Sequence, residues 1–348
     1  MLSNRAGGVP DAQASRPTTP ALLSLEDLRV TFRTAAGEPV RAVNGVTLEL
    51  RQGEVLGLVG ESGSGKSVTC MSVLRLLPTN ARIDGRLRFD GRDVVAMDAG
   101  ELRRFRATGA RIIFQDPSSS LNPLMRVGDQ IVESIDSKRR LSSSQARREA
   151  IDMLERVGIA EPQRRFKAYP HELSGGMLQR VMIAMALVVS PKLLICDEPT
   201  TALDVTTEAQ ILELIRGLNR EFGTSVIFTT HDLGLVRELC DRVVVMYAGR
   251  VAETADTEVC LGSPWHPYTT LLLGAEPESA PEGARRLKVI EGAPPRPTDD
   301  ISGCPFHPRC PLAEARCMEE VPPAMPVPQG LDHLTACWVT VERGPLRV

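Results

Sequence analysis

The sequence predicts an α/β protein with a parallel sheet at its centre, and two observations carry this. Between Leu193 and Thr230 an apolar run, LLICD, is followed by EAQILELIRGLNREF and then by a second apolar run, VIFTT. The middle stretch places Ile211, Leu214, Ile215, Leu218 and Phe222 on one helical face. Strand, helix, strand in that order is a parallel βαβ unit. Upstream, the apolar EVLGLV runs directly into GESGSGKS, Gly60 to Ser67, and then into the helical VTCMSVLRLL. Strand, glycine-rich turn and helix start together form a phosphate cradle.

The remaining elements follow in chain order. From Leu25 to Leu58 the β-type runs LRVTF, VTLEL and EVLGLVG are broken by AAGEP and RQG, so strands and turns come first. RLRFDGRDVV, Arg86 to Val95, reads as a further hairpin. Residues 126–189 are rich in helix formers, interrupted near Gly158–Ile159 and at YPHELSGG. From 274 to 300 the chain turns rich in proline, glutamate and glycine, a linker before a cysteine-rich end at 301–348.

At 348 residues the chain exceeds one comfortable domain, which suits a large α/β unit plus an appendage. A content of 42% apolar and 24% charged residues is ordinary for a soluble globular protein. A net charge of −3 makes no case for nucleic acid or an acidic membrane surface. The longest apolar run, Val181 to Val189, falls far short of the roughly 20 residues that span a bilayer. Residues 1–23 lack the apolar core of a signal peptide and are expected to be a disordered tail. The expectation is a cytosolic protein that docks on membrane partners.

The chemistry begins at GESGSGKS. Gly60, Gly63 and Gly65, with Ser62 among them, let backbone N–H groups turn inward around a β-phosphate, and the helix N-terminus adds positive potential. Lys66 reaches the β- and γ-phosphates, and the Ser67 hydroxyl is a Mg²⁺ ligand. In LLICDEP an apolar strand ends in two carboxylates, delivering Asp197 to the Mg²⁺ shell and Glu198 to the attacking water. Alone, two acids after a strand are a solvated turn; the upstream phosphate loop gives them a partner. LSGGMLQR, Leu173 to Arg180, makes a second anion-binding helix terminus from Ser174, Gly175 and Gly176. The plain alternative is a helix cap at Ser174. Since one terminus already serves the chain's own nucleotide, the second is best explained by ATP held on another subunit.

With TTALD and a lone His231 following, these stretches closely resemble the ATP-binding subunits of ABC transporters. The resemblance covers about Leu25 to Leu273. It implies an ABC-type P-loop ATPase: a RecA-like core over 24–273, an antiparallel β subdomain, and a helical subdomain inserted at about 117–187. By the same resemblance Gln115 of IIFQDP lies beside Mg²⁺ and the water, Glu198 is the general base, and His231 senses the γ-phosphate. Phe32 falls where this family stacks an aromatic ring on adenine, and Met177 stands where many members carry glutamine. QDPSSSLNPLMRVGDQI, WHPYTTLLL at 265–273 and GCPFHPRCP point to the oligopeptide/dipeptide importers within that family. That subgroup implies ATP hydrolysis at the cytoplasmic face of the membrane. Its partners are a second ATPase subunit in a heterodimer, two transmembrane permease subunits and an extracytoplasmic peptide-binding protein. Near relatives carry nickel or glutathione. A non-transport ABC ATPase acting on DNA or the ribosome is disfavoured, because no sustained heptads separate Lys66 from Ser174 and only one ATPase unit is present.

Of eight cysteines, Cys70, Cys196, Cys240 and Cys260 are scattered and read as small buried hydrophobes. Cys304, Cys310, Cys317 and Cys337 are clustered as C-x5-C-x6-C-x19-C. A reducing cytosol disfavours disulfides, and four thiolates suit zinc or an iron–sulfur cluster. The tight C-x2-C knuckle usual for zinc is missing, so the wide spacing fits the larger cluster better. Arg309 is expected to offset the thiolate charge, with His307 and His333 as lesser substitute ligands. The subgroup resemblance implies a [4Fe-4S] cluster on these four positions, with Zn²⁺ as the alternative and a structural role in either case.

Overall fold

The computed structural model describes residues 21–135, 141–201, 203–276, 289–299, 301–328 and 330–346. The expected tail up to residue 20, linker residues 277–288 and Ala202 of TTALD lie outside the described residues. In chain order the first strands are β1 (Ala21–Arg33), β2 (Pro39–Arg51), β3 (Val55–Val59), β4 (Ala81–Phe89), β5 (Arg92–Asp93) and β6 (Ala110–Ile113). They are followed by β7 (Leu193–Asp197), β8 (Ser225–Thr230), β9 (Arg242–Tyr247), β10 (Arg250–Asp256), β11 (Met325–Val327) and β12 (Gly330–Thr335). β1 starts at Ala21, inside the stretch expected to be disordered, because Leu22 and Leu23 are buried beneath it. The expected hairpin at Arg86–Val95 forms, although its second arm, β5, is only Arg92–Asp93.

Two sheets result. One is four-stranded and antiparallel, in the order β2-β1-β4-β5. The other has eight strands, β11-β12-β10-β9-β3-β8-β7-β6, parallel from β9 to β6 and antiparallel from β9 to β11. Every residue of β3, β7 and β8 is buried, as parallel strands covered on both faces must be. Alternation divides their side chains between two cores. Leu56, Leu58, Leu193, Ile195 and Ile227 pack on the side of the antiparallel sheet and helix Lys66–Val73. Val55, Val59, Leu194, Cys196, Val226 and Phe228 pack on the other side.

That second side carries the long helices. Val205–Phe222 is capped by Asp204, whose carboxylate accepts from the Thr207 N–H at 3.0 Å, and it stops at Gly223 with φ +63°. Ile211, Ile215 and Leu218 are buried as the spacing predicts, and Leu212 joins them. Leu214 and Phe222 are only half-buried at the edge of that face. Between β6 and β7 the regular structure of the described residues is entirely helical, from Pro117–Ser120 to Gly175–Leu187.

The C-terminal residues are more closely joined to the body than an appendage. β12 pairs antiparallel with β10, setting Glu253 opposite Thr335 and Thr254 opposite Leu334, and so extends the main sheet. Beneath it Glu253 is fully buried and accepts from His333 Nε2 at 2.6 Å and from the backbone N–H groups of Trp265 and His266. The Phe306 ring packs 5.1 Å from that of Tyr247, 5.4 Å from Tyr268 and 5.9 Å from His266. Burial holds His266 neutral, with its pKa pushed down to about 4. The Tyr268 N–H donates to its Nδ1 at 3.1 Å. The described part of the expected linker, 289–299, lies against the body: the Pro297 carbonyl accepts from the Arg41 N–H at 3.1 Å.

Candidate nucleotide site and cysteine cluster

β3 ends at Val59, and the chain turns through Gly60–Gly65 into helix Lys66–Val73. Gly60 has φ +146°, and a Cβ there would overlap the Met246 carbonyl oxygen. Gly65 has φ +100°, and a Cβ would stand 2.7 Å from the Ala42 carbonyl oxygen. Only glycine fits either place. The turn closes one wall of a cavity of about 760 Å³, whose other walls bring Gln115, Glu198 and His231 to face Lys66 and Ser67.

Lys66 is 5% exposed. Its ammonium donates to the carbonyls of Gly60 at 2.6 Å and Glu61 at 3.3 Å, and lies 3.9 Å from Glu198 Oε1. Burial lowers its pKa, against the opposing pull of Glu198 and Asp197. The Ser67 hydroxyl donates to Asp197 Oδ1 at 3.0 Å, and the Thr229 hydroxyl donates to the same oxygen at 2.8 Å. Asp197 is 8% exposed. A buried carboxylate beside a hydroxyl that lines the cavity fits a hard divalent cation such as Mg²⁺.

Glu198 is the hub of the site. Its φ of +49° turns the side chain off the line of β7, a conformation costing a non-glycine residue about 1 kcal/mol. The backbone N–H is fixed by the Thr229 carbonyl and hydroxyl at 3.2 and 3.0 Å. Oε2 accepts from Gln115 Nε2 and from the Thr201 hydroxyl, each at 3.2 Å, and His231 Nδ1 stands 3.8 Å away. Residues from four separate stretches thus meet as the motifs predict, and Thr201 of TTALD joins them. Thr229, Ala42 and Pro297 enter the site without a motif of their own.

Two groups of expected site residues lie apart from this cavity. Ser174, Gly175 and Gly176 head helix Gly175–Leu187, with Ser174 Oγ accepting from the Met177 N–H at 3.4 Å. None of the three lines the cavity around Lys66, and Ser174 and Gly175 are exposed. Phe32 does not line the cavity either. It follows Val30 on the core face of β1 and packs half-buried into the antiparallel sheet's core.

All eight cysteines are free thiols, and Cys70, Cys196, Cys240 and Cys260 are buried as expected. Of the other four, Cys317 and Cys337 are buried and Cys304 and Cys310 half-buried. The Cys304 N–H donates to the Cys317 carbonyl at 2.8 Å. Burial pushes the Cys304 thiol up to about 11 and the Cys310 thiol up to about 12, and the neighbouring cysteines raise both further. Thiols gathered in this way ionise readily only beside a cation. Among the described residues, no three of these sulfurs lie within 4.8 Å of one another.

Arg309 does not serve as the expected counter-charge. It is drawn away by a stronger partner: its guanidinium forks onto the Glu61 carboxylate at 2.7 and 3.1 Å. Arg250 lies within electrostatic reach of Cys304. His333 is also engaged elsewhere, forming with Glu253 and Cys260 a compact buried trio whose ligand atoms lie within 4.8 Å of one another.

Residues 43–201 match the ABC transporter family, and residues 252–317, which include GCPFHPRCP, match the oligopeptide/dipeptide transporter C-terminal region. The oligopeptide transport ATP-binding protein OppD of Salmonella typhimurium is 49% identical over 330 residues, covering 95% of this chain and 97% of that one. The chain belongs to the ATP-binding subunits of the oligopeptide/dipeptide ABC transporter family. This ABC subunit is also 45% identical over 324 residues to the dipeptide transport ATP-binding protein DppD of Bacillus subtilis, covering 92% of this chain and 96% of that one. Among solved structures it is similar to the dimeric ATP-binding cassette MJ0796, in a post-hydrolysis state bound to ADP and Pi. There the TM-score is 0.61 at 30% identity, over 68% of this chain and 98% of that one. As an ABC ATPase subunit it hydrolyses ATP, and none of its described helices is long and apolar enough to cross a membrane.

Proposed function

We propose that this subunit powers import of di- and oligopeptides across the cytoplasmic membrane, working peripherally at its cytoplasmic face. The observation that carries the cargo is its similarity, over nearly the full length of both chains, to proteins named for oligopeptide and dipeptide transport. Its partners on this reading are a second ATPase subunit, two transmembrane permease subunits and an extracytoplasmic peptide-binding protein. Ser174, Gly175 and Gly176 lie outside the chain's own cavity, as a surface that completes the partner ATPase's site would.

Hydrolysis follows from the cavity. ATP seats its phosphates along Gly60–Ser67, where backbone N–H groups and Lys66 hold the β- and γ-phosphates. Mg²⁺, when bound by Ser67 and Gln115 and through water by Asp197, offsets phosphate charge. Glu198 takes the proton of the in-line water, its carboxylate already aimed by Gln115 and Thr201. His231 reports the loss of the γ-phosphate. In proteoliposomes carrying the partner subunits and the binding protein, oligopeptide is expected to raise ATP turnover. Stimulation by nickel or glutathione instead would replace the cargo while leaving the ATPase in place.

The four C-terminal cysteines would hold a [4Fe-4S] cluster as a structural staple, a reading supported by their C-x5-C-x6-C-x19-C spacing and by each of Cys304 and Cys310 lying within electrostatic reach of the other cysteines. Chain purified without oxygen is expected to contain about four irons and four sulfides, lost in Cys310→Ser. About one zinc per chain and no visible absorption would make the staple a zinc site.

A further inference from the structure

We propose that Arg309, inside the cysteine-rich segment, is a positioning residue for the phosphate loop. Glu61 is the second residue of GESGSGKS, and Arg309 lies 248 positions downstream. Arg309 Nη1 and Nη2 donate separately to Glu61 Oε2 at 2.7 Å and Oε1 at 3.1 Å, a two-pronged, charge-assisted contact. The Arg309 side chain is 4% exposed and that of Glu61 27%, so water screens the pair little.

Arg309 is itself anchored. Nη1 also donates to the Tyr247 hydroxyl at 3.2 Å, Nη2 to the Ile290 carbonyl at 3.2 Å, and Nε to the Glu291 carbonyl at 3.0 Å. Glu61 is held at its other two polar points. Its N–H donates to the Tyr268 hydroxyl at 2.9 Å, and its carbonyl accepts from Lys66 Nζ at 3.3 Å. Tyr247 and Tyr268 both pack against Phe306, three residues before Arg309. One turn of the C-terminal segment therefore fixes the carboxylate and, through Tyr268, the backbone of the residue that opens the loop.

A loop held in its binding shape before the nucleotide arrives needs no ordering when it binds. The brace acts on the ground state and the transition state alike, so its loss raises KM for ATP and leaves kcat nearly unchanged. This inference rests on the reading of Gly60–Ser67 as the phosphate loop.

The test uses the assembled transporter with ATP titrations. Arg309→Ala and Glu61→Ala are each expected to raise KM for ATP about tenfold with kcat within about twofold, and Arg309→Lys to fall between them and the parent. The reversed pair, Glu61→Arg with Arg309→Glu, is expected to recover part of the loss; a merely structural arginine would show no such recovery. If Arg309→Ala fails to fold, Glu61→Ala decides, and a KM within about twofold of the parent overturns the proposal. Lys66→Ala separates the two ideas. Its loss of ATP binding alongside an unaffected Glu61→Ala sinks only the brace, whereas normal binding by Lys66→Ala sinks the phosphate-loop reading itself.

Discussion

Replacing Glu198 by glutamine is expected to lower ATP turnover in the assembled complex by about 10²- to 10⁴-fold, while ATP still binds. The Glu198→Gln substitution keeps shape and removes only the capacity to take a proton. The new amide would still face Gln115 and Thr201, the groups that now donate to Oε2, and the strained backbone at φ +49° would still be held by Thr229. Lys66 would lose a carboxylate 3.9 Å away but keep its two carbonyl contacts and its place beside the phosphates. Phosphate release measured beside retained nucleotide on gel filtration separates catalysis from binding. Normal turnover in this variant would move the base to another group.

Phe306→Ala should destabilise the protein by about 3–5 kcal/mol, the range for removing a fully buried aromatic side chain. The ring is 1% exposed and touches three other rings, so no solvent-facing surface compensates for the void. Loss at this point should loosen the segment that carries Arg309 and the cysteines before the ATPase core is affected. Urea unfolding with limited proteolysis distinguishes local from global loss. Leu124→Ala, at a side chain 86% exposed, is the control and should stay within about 0.5 kcal/mol. A cost below about 1 kcal/mol for Phe306→Ala would mean the segment is held chiefly by β12 and the Glu253–His333 pair.

What the sequence made legible was chemistry carried by contiguous residues. GESGSGKS, LLICDEP and LSGG each encode a turn or helix start whose glycines or caps fix local geometry, and the structure places the first two together and the third apart. Contacts between distant stretches were less legible. Arg309 sits among the cysteines in the chain, yet it pairs with Glu61. The attraction of a carboxylate brought close by folding leaves no local signature. β11 leaves little strand signature, with only three residues of which one is Pro326.

The pairing of β10 with β12 has a consequence for biosynthesis. The chain leaves the ribosome from its N-terminus, so β10 emerges long before residues 330–335 can reach it. During that interval the outer edge of β10 offers unpaired backbone groups to any passing strand, and Glu253 lacks its His333 hydrogen-bond partner. The nascent ATPase is therefore open to misassembly at the edge where the cysteine-rich end will later close the sheet.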